Sequence, residues 1–61
     1  MTAQRLRTLE RQTRALLARL GRASEDHDSM RLSLALGHVA KAADELREAA
    51  LVAEIRARLD R

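Results

Sequence analysis

Few side chains in this 61-residue chain have chemistry to offer. His27 stands between Asp26 and Asp28 in the run "EDHD", with Met30 close by, a grouping of metal-ligand types. Neighbouring residues point in divergent directions, however, and the other histidine, His38, lies roughly 16 Å further along if the intervening chain is helical. No ligand stands one helical turn from His38, so "EDHD" reads as a solvated capping turn and no metal or cofactor is expected. Ser24, Ser29 and Ser33 lack an oriented base and acid, and Asp44, Glu45 and Glu48 have the spacing of an ordinary helix surface. Cysteine is absent, which removes both a thiol nucleophile and any disulfide. The chain is therefore not expected to be an enzyme.

Arginine offers more. Arg7, Arg11 and Arg14 recur at i, i+4 and i+7, with Arg22 roughly in line, and forked guanidinium donors in such a row can follow the phosphates of a nucleic acid. Residues 1–23 hold six Arg against Glu10, whereas residues 24–61 hold six basic and eight acidic groups, so the net charge of +3 conceals a basic first segment. Arg7, Arg11 and Arg14, together with Gln12 and Arg19, are the candidate nucleic-acid contacts. Against that reading, Glu10 can pair with Arg14, and Phe, Tyr and Trp are absent, which leaves no aromatic to stack on a base. A solvated or protein-binding face is the competing reading.

The elements that carry these residues are helical. Proline is absent and Ala, Leu, Arg and Glu dominate. Leu6, Leu9, Thr13, Leu16 and Leu20 recur at alternating intervals of three and four, with Leu17 beside them, as in a heptad seam. Thr13 is the polar member, able to set register or simply to bond the carbonyl one turn back. Gly21 follows the last leucine, where a left-handed residue would end the helix. Ser24, Asp28 and Ser29 are alternative caps for a second helix, which then meets no breaker except Gly37. The expectation is one domain over residues 1–61, with helix 1 at about 3–21, a turn at about 22–28 and helix 2 at about 29–60.

On helix 2, Leu32, Leu36, Val39, Ala43, Leu46, Ala50 and Ala53 form one stripe, flanked by Ala35, Ala42 and Ala49, that suits packing on helix 1. Leu51, Ile55 and Leu59 form another at i, i+4 and i+8, with Val52 beside it, on the far side of the same helix. The short helix 1 would cover only part of the longer helix 2, and one neighbour cannot bury opposite faces. Chains this small usually need disulfides, metal or association to be stable, and only association is left. The fold expected is thus all-α: an antiparallel helical hairpin assembling into a dimeric four-helix bundle or a complex with a different protein. Its contact surface would be Leu46, Ala50, Leu51, Val52, Ile55 and Leu59, and its function that of a non-enzymatic interaction module, such as a small regulator, adaptor or assembly subunit.

The stretch "RQTRALLARL" at 11–20, followed downstream by "ADEL" at 43–46, resembles the Rop family of plasmid copy-number regulators. The resemblance implies a helical-hairpin dimer that binds paired RNA loops with the outer face of its first helix, here Gln4, Thr8, Gln12 and Arg19. It covers about fourteen positions and requires an insertion of about four residues at the turn. Thr8 stands where the family has an aromatic. An RNA- or other nucleic-acid-binding regulator is accordingly the alternative function.

A membrane span is not expected, since no run of about 18 apolar residues occurs. Helix 1 is amphipathic and basic but lacks the aromatic anchors of a membrane-surface helix. The opening residues have no apolar signal region, which makes the cytoplasm the expected location.

Overall fold

The computed structural model describes residues 1–27 and 29–60. Two helices, α1 (Ala3–Asp26) and α2 (Met30–Leu59), pack against each other as a hairpin. Thr2 caps α1: its backbone is extended and its Oγ1 accepts the Arg5 N–H at 3.1 Å, satisfying one of the donors left open at a helix start. The last turn of α1 closes with the His27 N–H donating to the Ala23 carbonyl at 3.2 Å.

Gly21 does not end α1. The helix continues to Asp26, and neither glycine has a positive φ. A glycine inside a helix costs about 1 kcal/mol against alanine but does not forbid the conformation. Continued packing on α2 can offset a penalty of that size, and the Ser24 hydroxyl ties into the last turns by donating to the Gly21 carbonyl at 2.8 Å. The connection is correspondingly shorter than the expected turn at 22–28. Ser24 is therefore no cap. Ser29 takes the N-cap position of α2 with extended backbone, yet its side chain makes no capping hydrogen bond. Asp28, the other candidate cap, lies outside the described residues.

α1 is longer than expected but still shorter than α2, so it covers more of helix 2 than expected without covering all of it. At 1.5 Å per residue, α1 spans about 36 Å and α2 about 45 Å. Arg7 meets Glu54 and Arg14 meets Asp44, which fixes an antiparallel register in which the start of α1 is level with the last turns of α2. The result is a rod with Cα extents of 51 × 14 × 13 Å. The apolar residues of 51–59 are left open because they lie around the helix from α1, not because α1 runs out.

Among the described residues, only Ala43 and Ala50 are completely buried. Both belong to the stripe expected to face helix 1, whose other members, Leu32, Leu36, Val39, Leu46 and Ala53, are half-buried. On α1, Leu6, Leu9, Thr13, Leu17 and Leu20 are half-buried, but Leu16 is 45% exposed. Leu17 takes the seam position, since a 3.6-residue period places it closer than Leu16 to the line through Leu6, Thr13 and Leu20. Thr13 donates its hydroxyl to the Leu9 carbonyl at 2.7 Å, so its polar group is satisfied within its own helix.

Candidate interaction surfaces

Six residues were expected to form the contact surface, and the hairpin divides them. Ala50 lies sealed between the helices and Leu46 is half-buried there, so both serve the intramolecular contact. Leu51, Val52, Ile55 and Leu59 remain 41–78% exposed. They share a helical stripe because steps of three and four return to the same side of α2. Its two edges differ. Leu51 borders a shallow polar groove with Asp44, Arg47 and Glu48, while Val52 borders an open, mostly apolar groove with Leu6, Ala49 and Ala53 between the start of α1 and the end of α2. Neither groove is an enclosed pocket of the sort that orients a small substrate.

The arginine row is also divided. Arg7 donates to Glu54 through Nε at 2.9 Å and Nη2 at 3.4 Å, and to Glu10 through Nη1 at 3.2 Å. Arg14 donates to Glu10 at 2.9 Å and to Asp44 at 3.2 Å. Glu10 thus joins two arginines, and each arginine reaches across to an acid of α2. Hydrogen bonding to Arg14, then to Arg7, holds the Glu10 carboxyl below its ordinary range; bonding to Arg7 does the same for Glu54. The same bonds raise Arg7 and Arg14. These two guanidiniums tie one flank of the hairpin together, although in the sequence they align with Arg11 in a candidate phosphate-binding row. The i, i+4 pairing of Glu10 with Arg14 was visible in the sequence. Glu54 and Asp44 were not, since their distance along the chain conceals them until the register is known.

Arg11, Gln12 and Arg19 stay exposed. Arg11 donates to the Thr8 hydroxyl at 3.4 Å, and Thr8 in turn donates to the Gln4 carbonyl at 3.1 Å. Arg5 and Arg22 are exposed as well, and residues 11–24 contain no acid, so α1 retains a basic outward face that keeps Arg11 and Arg22 of the original row and adds Arg5 and Arg19.

His27 and His38 are both exposed. Among the described residues no group of three or more His, Cys, Asp or Glu side chains is placed to hold a metal ion, and no helix is long and apolar enough to cross a membrane. The chain matches no known protein family, and no curated protein or solved structure shows significant similarity to it.

Proposed function

We propose that this chain is a non-enzymatic helical interaction module, a hairpin completed by another chain in a dimeric four-helix assembly or a mixed complex. Its contact surface is the outward stripe Leu51, Val52, Ile55 and Leu59. The observation that carries this reading is that no described residue larger than alanine is fully buried, while a run of large apolar groups is left in water. Burying an exposed leucine or isoleucine completely contributes roughly 1.5–3 kcal/mol, so covering this stripe favours association by a sizeable amount before the cost of ordering two chains. Adaptor, assembly subunit and small regulator are all roles of this kind.

Replacing Leu51 and Ile55 together by Asp should shift the chain toward the monomer in sedimentation equilibrium, or abolish capture of a protein partner. A variant with unaltered mass and unaltered partner binding would remove this surface from the function.

The exposed basic face of α1 favours one second reading, a nucleic-acid-binding regulator. Arg11 and Arg19, with Arg5 and Arg22, are its contact candidates, Gln12 adds a polar group, and Arg7 and Arg14 act mainly within the hairpin. Such binding weakens steeply with salt, and each lost phosphate contact flattens the slope by nearly one. Changing Arg11 and Arg19 to Gln should therefore flatten the salt dependence of binding to a paired RNA by about two; an unchanged slope would exclude the face.

A further inference from the structure

The side of α2 directly away from α1 carries a pattern that the apolar stripe alone does not reveal. Beginning at Met30, steps of four and three lead through Leu34, Gly37 and Lys41, past Asp44 and Glu45, and on through Glu48 to the stripe itself. These positions are all exposed, Met30 at 80% and Leu34 at 57%. The strip is apolar at both ends and charged in the middle. Around its midpoint, between Asp44 and Glu45, it is also self-complementary: equally distant positions are Lys41 and Glu48, Gly37 and Val52, Leu34 and Ile55, and Met30 and Leu59.

We infer that the occupant of this surface is a second copy of the chain, with the two α2 helices packed antiparallel about that midpoint. This rests on the interaction-module reading and names its partner. In a two-fold contact a residue i that meets j is matched by j meeting i, which is the symmetry the strip possesses. Lys41, the chain's one lysine, would face Glu48 of the other copy twice over. Val52 would face Gly37, around which an added Cβ meets nothing within 4 Å, so the glycine leaves open space for a branched side chain. Like charges meet only at the centre, where Asp44 is already held by Arg14.

The exposed area is of the right size. The hairpin presents 5081 Å² to solvent, whereas a folded monomer of its 6.9 kDa is expected to expose ~4,000 Å². That excess, about 1,100 Å², is larger than the ~800 Å² that each partner contributes to a standard stable interface, so the area suffices for one.

Sedimentation equilibrium on the full chain, followed by refractive index because no aromatic is present, tests the arrangement. Lys41→Glu and Glu48→Lys should each weaken self-association by about tenfold, as expected when two exposed attractions become repulsions. The Lys41→Glu/Glu48→Lys double variant should recover it. So should an equimolar mixture of the two single variants, a rescue that cannot arise within one chain. A mixture that associates no more tightly than either variant alone would overturn the antiparallel pairing; if Leu51→Asp with Ile55→Asp still dissociates the chain, the interaction reading survives that failure. A folded wild-type monomer at millimolar concentration would overturn the second copy as occupant and leave only a different protein for the surface.

Discussion

At the scale of the residue, the most consequential finding is what Arg7 and Arg14 do. In the sequence they look like members of a phosphate-binding row; in the fold they hold two helices in register through Glu10, Glu54 and Asp44. These are exposed pairs, whose individual contributions to stability are small, but a shared carboxylate makes them a network with a pH signature. Glu10 and Glu54 are held below the ordinary carboxyl value of 4.5 when folded. The unfolded chain therefore binds more protons on acidification, so stability from these pairs is fully present above about pH 4.5 and is lost as pH falls through the folded values. The urea midpoint should drop between pH 7 and pH 3. In a Glu10→Gln/Glu54→Gln variant it should begin lower and drop less. An identical drop in both chains would assign the acid sensitivity to general charge repulsion and not to this network.

At the scale of the element, Gly21 separates what the sequence disclosed from what it concealed. If it ended α1 in a left-handed conformation, replacing it with alanine would destabilise the protein. In the structure it is an interior helical residue without a positive φ, and an added Cβ finds nothing within 4 Å. Gly21→Ala should accordingly stabilise the chain by about 1 kcal/mol, seen as a higher urea midpoint; a loss would restore the early helix end. The existence of two helices, the stripe from Leu32 to Ala53 that faces α1, and the exposure of Leu51, Ile55 and Leu59 were all legible, because each follows from residue type and a 3.6-residue period. What was not legible depends on weak or long-range effects. Helix ends shift with small differences between cap, glycine cost and packing, which is why α1 gained a turn beyond Gly21. The role of Glu54 follows from a contact with the other end of the chain, which requires the interhelix register.

At the scale of the whole molecule, the hairpin has only two helices at any level along its length, and two helices cannot enclose a large side chain on all sides. Every leucine in the seam therefore keeps part of its surface in water, and the completely buried residues among those described are two alanines. A chain of this size without cysteine to form a disulfide ordinarily draws missing stability from association or a bound group. If a second copy supplies it, folding and assembly are one equilibrium, and stability must depend on protein concentration. Each tenfold increase adds about 1.4 kcal/mol to the folded dimer. At an unfolding entropy of ~2.1 cal/mol/K per residue over two chains, that raises Tm by about 5 °C. Melts followed by circular dichroism from micromolar to millimolar chain should move upward by that amount per decade. The Leu51→Asp/Ile55→Asp variant should instead melt at one low temperature regardless of concentration. A wild-type Tm that does not move over this range would mean that the two helices hold together unaided, and the exposed stripe would then have to be explained by a different protein that binds a hairpin already folded.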